Sequence, residues 1–161
     1  MDVGGSSIKY ALIGPDRHLT EHGKVKTPHG DRAAYLDALA EIYRPFRGRV
    51  EGIAMSVPGI IDSAGGLCKT TGALGLGEDF PLVQELEARC GVPVTIVNDA
   101  KAAALAEAAW GSLAGCSSAI VIVLGTGIGG ALILDGKVVS GQHFAAGEFS
   151  TICLDSHHDD I

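Results

Sequence analysis

Basic residues are scarce in this sequence, and they do not cluster. The chain of 161 residues carries 12 Lys and Arg against 19 Asp and Glu, which gives a formal net charge of −7. A protein that follows the phosphate backbone of a nucleic acid needs a positive surface. This balance therefore argues against nucleic acid as a partner and favours small substrates.

Long hydrophobic runs are missing as well. The longest run, around residues 119–124, is far too short to span a bilayer, and no basic-then-apolar signal segment leads the chain. We therefore expect no membrane partner and a cytoplasmic protein. The 47% hydrophobic content nevertheless provides a sizeable core, enough for one domain or for one domain and part of another.

Closely spaced cysteines are also absent. The chain has four cysteines, and no two of them form a CxxC pair. This spacing suggests neither a disulfide framework nor a zinc ribbon, so we expect free thiols in a reducing compartment. The four positions are Cys68, Cys90, Cys116 and Cys153.

The order of predicted elements indicates an α/β protein with a mixed sheet. Local turn signals and apolar periodicity define most of the elements. We expect a hairpin of strands at 8–13 and 19–25, a helix from Asp31 to about residue 44, a strand at 52–59, a helix at 81–91, a strand at 94–98, an Ala-rich helix after Asp99, a buried strand at 118–127 and a hairpin at 131–139.

Glycine is abundant, with 23 residues or about twice the usual share, and it marks turns. MDVGGSSIKY places Gly4-Gly5 and two serines between two strands, where backbone N–H groups and hydroxyls can approach phosphate oxygens. LGTGIGG at 124–130 repeats the arrangement with Thr126. Neither segment is a P-loop, since no Gly-Lys-Ser/Thr follows, and GTGIGG precedes a hairpin instead of a helix. Taken separately, each is equally consistent with a tight turn.

Asn98 and Asp99 stand between a predicted apolar strand and the Ala-rich helix. One interpretation is a helix cap, because Asn and Asp accept hydrogen bonds from first-turn N–H groups and a carboxylate suits the helix dipole. The other is a carboxylate aimed into a cleft as a base. The residues alone favour the cap, whereas two glycine turns on either side of the pair favour a nucleotide site.

Four motifs, in this order, resemble the ROK family of bacterial sugar kinases, which includes glucokinases and N-acetylmannosamine kinases. They are DVGGSSIKYAL (2–12), SVPGIID (56–62), VNDAKAAALAE (97–107) and LGTGIGGALILDGKVVSGQHFAAGE (124–148). The resemblance implies an actin-like ATPase (ribonuclease H-like) lobe with a mixed β-sheet and flanking helices at 1–117. It also implies the beginning of a second, ATP-binding lobe at 118–161.

The resemblance also implies the roles of individual residues. Asp99 would be the catalytic base and would bind the sugar together with Asn98, Gly59 and Glu148. Asp2 would hold Mg²⁺ through water. ATP and Mg²⁺ are the implied cofactors, and a homodimer is expected for the intact protein. The two implied phosphate motifs are Asp2, Gly4, Gly5 and Ser6, and Gly125, Thr126, Gly127 and Gly129.

This chain departs from the family pattern at several positions. Glu148-Phe149-Ser150-Thr151 replaces the family's Glu-x-Gly-His, and the cysteine-rich loop is missing, so we expect no structural zinc. Ala73 and Gly77 stand where the family has Asn and Trp, which alters the sugar pocket. Three hypotheses follow: a sugar kinase or a fragment of one, a sugar-sensing ROK repressor, or a noncatalytic sugar-binding remnant.

Overall fold

The computed structural model describes residues 1–125, 127–150 and 152. The chain forms two compact units, Met1–Asp99 and Ala100–Ile161. The predicted division into lobes at 1–117 and 118–161 stays a prediction, because compactness alone does not identify a lobe.

The first unit contains seven strands and two helices, with a short 3₁₀ turn after each of α1 and β6. In chain order they are β1 (Asp2–Val3), β2 (Ser7–Ile13), β3 (Leu19–Lys26), α1 (Arg32–Tyr43), β4 (Ile53–Val57), β5 (Ile61–Asp62), β6 (Leu67–Cys68), α2 (Leu82–Cys90) and β7 (Val94–Asn98).

A five-stranded mixed sheet forms the centre of this unit, in the order β3-β2-β1-β4-β7. Strands β1, β4 and β7 run parallel, whereas β2 pairs antiparallel with both β1 and β3. The predicted α/β class with a mixed sheet and the predicted hairpin at 8–13 and 19–25 are both confirmed. The parallel register places Asp2 opposite Ser56, and Val57 opposite Asn98.

The two helices begin and end where local chemistry predicts. Asp31 has an extended backbone, and its side chain accepts a hydrogen bond from the Ala34 N–H at 3.1 Å, so it caps α1 as predicted. Helix α2 ends on Gly91, whose φ of 73° suits the left-handed position after a helix. Both helices present a buried apolar face, which includes Leu39 of α1 and Leu86 of α2.

The core of the first unit joins both helices to the sheet. Val3, Met55 and Ile96 come from the three parallel strands, and each is at most 3% exposed. Full burial of a side chain of this size stabilises the fold by about 1.5–3 kcal/mol. The three parallel strands are therefore held firmly where their carboxyl ends reach the surface.

The second unit contains the helix α3 (Asp99–Trp110) from Ala100 onward and a three-stranded antiparallel sheet. The predicted hairpin at 131–139 is confirmed, with Asp135-Gly136 as its turn. Both turn residues have positive φ, as a two-residue hairpin of this type requires. The sheet order is β10-β9-β8, with β8 at Ala119–Leu124, β9 at Ile128–Leu134 and β10 at Lys137–Val138.

The predicted strand at 118–127 is found at Ala119–Leu124, but the prediction that it is buried is wrong. Strand β8 alternates between half-buried and exposed positions, and Ile120, Ile122 and Leu124 are 61–80% exposed. An antiparallel sheet can pack one face and leave the other open, which an apolar run in the sequence does not reveal. Strand β8 also ends at Leu124, so Gly125 and Gly127 lie between β8 and β9.

Two further expectations can be compared with the structure. Cys68, Cys90 and Cys116 are free thiols, as predicted, while Cys153 lies outside the described residues. Across 1–125, 127–150 and 152, no helix combines the length and the apolar character needed to cross a membrane.

Candidate active site

Three parallel strands of the first unit end at one edge of the sheet, and each end carries a predicted site residue. Strand β1 runs into Gly4-Gly5-Ser6, β4 into Pro58-Gly59, and β7 ends on Asn98 immediately before Asp99. Ligands of open α/β sheets bind outside the carboxyl ends of the strands. Motifs that are separated by up to about 95 positions in the sequence are therefore brought to the place where a ligand would bind.

Asn98 is 4% exposed, and its Nδ2 donates to the carbonyl oxygen of Gly59 at 3.0 Å. Gly59 itself has a φ of 103°, and a Cβ at this position would collide with the carbonyl oxygen of Thr70. The turn after β4 thus needs glycine for both its backbone angle and its packing. The hydrogen bond from Asn98 joins this turn to the end of β7.

Asp99 is the first residue of α3, and its side chain is exposed. The N-terminus of a helix carries a partial positive charge, which favours a carboxylate at this position. A solvent-accessible carboxylate beside a buried amide, at the carboxyl edge of a sheet, can reach a bound ligand. Its assignment as the catalytic base stays a prediction.

Gly4, Gly5 and Ser6 form the turn between β1 and β2, which we call the phosphate turn, and hydrogen bonds to their carbonyl oxygens hold it in place. Thr27 Oγ1 donates to the carbonyl of Gly4 at 2.8 Å, and the Thr27 N–H donates to that of Ser6 at 3.2 Å. His29 Nε2 lies 2.6 Å from the carbonyl oxygen of Gly5. All three carbonyls therefore face the segment that follows β3.

This orientation determines where the N–H groups of the phosphate turn point. In a trans peptide the C=O of one residue and the N–H of the next point in opposite directions. The N–H groups of Gly5 and Ser6 consequently face away from Thr27 and His29. Two backbone donors and the exposed Ser6 hydroxyl make a set that fits the oxygens of a phosphate group.

Asp2 lies on the central strand β1 with a largely exposed carboxylate. Its Oδ1 accepts a hydrogen bond from Ser56 Oγ at 2.6 Å, while Lys9 Nζ stands 3.9 Å from Oδ2. Both members of the Asp2–Lys9 pair are more than half exposed, so the pair contributes little to stability. An oriented, accessible carboxylate suits Mg²⁺, which binds oxygen ligands and retains much of its water.

Two glycines of the second motif, Gly125 and Gly127, lie between β8 and β9. Gly125 and Gly127 are exposed, and the Gly125 N–H donates to the carbonyl of Gly127 at 3.0 Å. Gly129 approaches Ala100 closely, because a Cβ built on it would lie 3.3 Å from the Ala100 Cβ. Thr126, the hydroxyl residue of this motif, lies outside the described residues.

Glu148 follows a loop that is fixed by a lysine which the sequence analysis missed. Lys101 is 5% exposed, and its Nζ donates to the carbonyl of Phe144 at 2.6 Å. Burial lowers the pKa of Lys101, whereas the charge of Glu148 opposes that shift. A cation in the first turn of a helix is disfavoured by the helix dipole. That local conflict is the signal that could have identified Lys101.

Gly77, at a position where the resemblance would place tryptophan, faces an arginine. It has a φ of 84°, and a Cβ here would lie 2.9 Å from Arg32 Nη2. The guanidinium of Arg32 donates to the carbonyls of Leu76 at 2.5 Å and Glu78 at 2.9 Å. Arg32 therefore occupies the space into which a larger side chain at position 77 would project.

The expected absence of a structural zinc site stays a prediction. In the part of the chain that the structure describes, no three His, Cys, Asp or Glu side chains gather closely enough to hold a metal ion. The prediction depends on Thr151, which stands where the family has histidine. The possible zinc ligands near it in the tail are Cys153, His157 and His158. These four residues lie outside the described part of the chain.

The sheet order, the glycine turns and the Asn-Asp pair together define a class of protein. They are features of the actin-like ATPase fold, which the sugar kinases among the similar solved structures also have. The chain belongs to the ROK family, whose family model matches residues 1–159. The predicted family and fold are thereby confirmed.

Several of the similar proteins are sugar kinases. Beta-glucoside kinase from Klebsiella pneumoniae is 34% identical over 154 residues, covering 96% of this chain and 52% of the relative. N-acetylmannosamine kinase from Shigella boydii is 33% identical over 159 residues, covering 98% and 54%. A ROK family glucokinase from Streptomyces griseus, solved with glucose and AMPPNP, superposes with a TM-score of 0.85 at 29% identity, covering 96% and 49%. The chain spans about half the length of these relatives.

Proposed function

We propose that this protein phosphorylates a hydroxyl of a hexose or an N-acetylhexosamine with ATP, with Asp99 as the general base. The names of the relatives support the reaction class, since they include kinases for a glucoside, an N-acetylated sugar and glucose. The sugar, ATP and Mg²⁺ are the proposed small-molecule partners. Homodimer formation by the intact protein and a cytoplasmic location stay predictions.

One observation carries the proposal. Asp99, an exposed carboxylate, follows the buried Asn98 at the same carboxyl edge of the sheet that bears the phosphate turn. Phosphoryl transfer requires an acceptor hydroxyl, a phosphate and a base near one another, and positioning supplies most of the rate enhancement. The first unit alone carries the proposed base and the proposed phosphate donors at a single edge.

On the sugar side, Asn98 and Gly59 act as one fixed element, because their hydrogen bond joins the ends of β7 and β4. We assign sugar contacts to this element and to Glu148. A sugar hydroxyl placed within hydrogen-bond reach of an Asp99 oxygen would lose its proton to that oxygen as it attacks. The altered residues Ala73 and Gly77 provide less side-chain surface to such a pocket than Asn and Trp would.

On the nucleotide side, the N–H groups of Gly5 and Ser6 are assigned to phosphate oxygens, together with Gly125, Thr126, Gly127 and Gly129. Asp2, oriented by Ser56, would hold Mg²⁺ through water molecules. When bound, Mg²⁺ offsets negative charge on the phosphates. The role of Asp2 is to keep the positive charge of Mg²⁺ beside the phosphate turn.

The proposal is tested with Asp99→Asn in the protein expressed from its complete gene. Asparagine keeps the size and the capping capacity of aspartate but cannot take a proton, so turnover should fall by about 100-fold or more. Sugar-dependent ADP formation is measured with glucose, N-acetylglucosamine, N-acetylmannosamine and a β-glucoside. Circular dichroism establishes that the variant is folded.

The matched control is Asp37→Asn, which removes a surface carboxylate from α1 that is 73% exposed. Its turnover should stay within about twofold of the parent, because a surface substitution of this kind changes little. Comparable turnover by Asp99→Asn and its parent would eliminate Asp99 as the base. No sugar-dependent ADP formation by the parent itself would reject the kinase proposal.

A further inference from the structure

Lys101 is a buried cation in a place that disfavours positive charge. Its side chain is 5% exposed, and it lies in the first turn of α3, where the helix dipole repels a cation. The loss of hydration adds to this cost, because a buried ammonium needs hydrogen bonds and opposite charge to replace its water. The groups that surround Nζ therefore show what this lysine does.

One of these groups is the carbonyl of a strained residue. Lys101 Nζ donates to the carbonyl oxygen of Phe144 at 2.6 Å. Phe144 has a φ of 62°, in the left-handed region that a bulky side chain rarely occupies. Strained residues of this kind persist where the surrounding contacts determine their geometry, and they are common at functional sites. The bond from Lys101 fixes the peptide plane after Phe144, and with it the direction in which the chain continues.

The chain reaches Glu148 four residues after Phe144, and it is held a second time on the way. We call residues 140–148 the Glu148 loop. Gly147 has a φ of 78°, and a Cβ at this position would lie 2.8 Å from the Ala131 Cα in β9. The Glu148 loop thus rests on α3 through the lysine and on β9 through Gly147.

Lys101 also acts on the Glu148 loop through its charge. The carboxylate of Glu148 raises the pKa of Lys101, in opposition to the larger effect of burial, which lowers it. This attraction is mutual, so the ammonium also draws the carboxylate towards α3. Glu148 is half-buried, so water and salt screen the attraction less than at an open surface. The backbone contact and the charge therefore act in the same direction.

We propose that Lys101 is a positioning residue for sugar binding, which holds the Glu148 loop at Phe144 and thereby keeps the Glu148 carboxylate in place for sugar hydroxyls. This inference rests on the proposed function, because that function assigns Glu148 to the sugar. An ionised carboxylate has two acceptor oxygens, and binding two neighbouring hydroxyls at once requires a fixed orientation. Loss of Lys101 should therefore weaken sugar binding, whereas the residues assigned to ATP lie elsewhere in the sequence.

The kinetic test uses Lys101→Met in the protein expressed from its complete gene. Methionine is similarly unbranched, but it has no charge and cannot donate to the Phe144 carbonyl. KM for the sugar should rise by about 10-fold or more, as expected for the loss of a hydrogen bond from a charged group. Both kcat and KM for ATP should stay within about threefold of the parent. A general loss of folded enzyme would instead lower the apparent kcat and leave both KM values unchanged.

Lys137→Met is the matched control, because Lys137 is an exposed lysine on β10 of the same unit. Its kcat and both KM values should stay within about twofold of the parent. An unchanged sugar KM in folded Lys101→Met would overturn the inference. An equal rise of the sugar KM and the ATP KM would also overturn it, because the effect would not be specific to the sugar.

NMR relaxation of the 161-residue chain tests the loop directly. The Ala146 and Glu148 N–H groups donate to the carbonyls of Ser140 and Ala145, each at 3.1 Å. In the parent, the heteronuclear ¹H–¹⁵N NOE values of these two amides should match those of β9, because the loop is held at two points. In Lys101→Met both values should fall, while those of β9 stay as in the parent.

Two outcomes of the NMR experiment would contradict the inference. The first is a Glu148 loop that is mobile on the ps–ns timescale in the parent, which is decisive even if Lys101→Met does not fold. The second is a folded Lys101→Met whose loop remains as rigid as in the parent.

The two experiments separate this inference from the proposed function. A parent that forms no ADP in response to sugars, but has a rigid loop that depends on Lys101, would reject the function alone. An active parent whose sugar KM does not depend on Lys101 would reject the inference alone.

Discussion

The first unit and the second unit use similar apolar strands in different ways. Strand β4 buries Ile53, Met55 and Val57 on one face and carries small residues, Ala54 and Ser56, on the other. Strand β8 has apolar residues on both faces, and its outer face is exposed. An apolar face of a strand is thus buried only where a second layer covers that face.

The two cores differ accordingly. In the first unit, both helices and the sheet contribute large side chains to one continuous cluster. Among the described residues of the second unit, the buried hydrophobic cluster consists of Ala104, Ala131 and Ile133, with half-buried neighbours such as Leu113. We infer that the candidate site edge of the first unit rests on the more stable of the two units.

The largest expected effect comes from a cavity in the first core. Leu39→Ala should lower the free energy of unfolding by about 2–5 kcal/mol, because Leu39 is fully buried. Leu113→Ala, at a half-buried site in the second unit, should lower the free energy of unfolding by a clearly smaller amount. In urea unfolding, tyrosine absorbance follows the first unit, which holds all three tyrosines, and the fluorescence of the single tryptophan, Trp110, follows the second. Equal costs would remove the contrast between the two cores.

A second substitution tests the turn at the site edge. Gly59→Ala should cost about 1–3 kcal/mol of stability, since the position combines positive φ with a backbone collision. Gly91→Ala is the matched control, because Gly91 has a φ of 73° but open space around its Cα. The difference in melting temperature between these variants measures how much the backbone collision destabilises the fold. Identical melting temperatures would show that the turn can relax.

The stability of the second unit should depend on pH through Lys101. Burial lowers the pKa of Lys101, so in the range just below the ordinary lysine value the unfolded chain binds more protons than the folded one. Stability of this unit should therefore rise with pH through that range. Lys101→Met should remove the rise, as measured by hydrogen exchange of β9 amides at several pH values. If the stability of Lys101→Met still rose with pH as in the parent, Lys101 would not be the cause of the pH dependence.

The smallest effect is expected on the open face of β8. Ile122→Thr should change the free energy of unfolding by less than about 0.5 kcal/mol, because Ile122 is 61% exposed and threonine is equally compatible with a strand. Ile96→Thr, on a buried strand of the first unit, is the contrasting variant and should be strongly destabilising. Denaturant midpoints of the two variants give the comparison. A large cost at Ile122 would mean that this face is covered in solution.

Local signals were sufficient for much of the fold. The β2–β3 hairpin, the Asp31 cap of α1 and the Asp135-Gly136 turn follow from turn and cap chemistry that acts over a few residues. Exposure of β8 could not be predicted, because it depends on which surfaces face the strand. The short strands β5 and β6 were missed, since two-residue pairings leave no periodicity to detect.

The candidate site was predictable only where it resembles a family motif. Asn98, Asp99 and the phosphate turn were identified in this way, and the structure adds the contacts that hold them. Thr27 and His29 bind backbone carbonyls, and such contacts carry no sequence signature because any residue type supplies the acceptor. Lys101 likewise acts on the Phe144 carbonyl, 43 residues away.

The parallel pairing of β1, β4 and β7 also has a kinetic consequence. Asp2 pairs with Ser56, and Val57 with Asn98, so each pairing closes a loop of more than about 40 residues. The entropy of closing such a loop is lost before the hydrogen bonds between the strands can compensate for it. The β2–β3 hairpin and α1 need only local contacts and can form early. We therefore expect the edge that carries the phosphate turn and Asp99 to be among the last parts of the first unit to assemble, and nascent chains can complete it only after β7 has been synthesised.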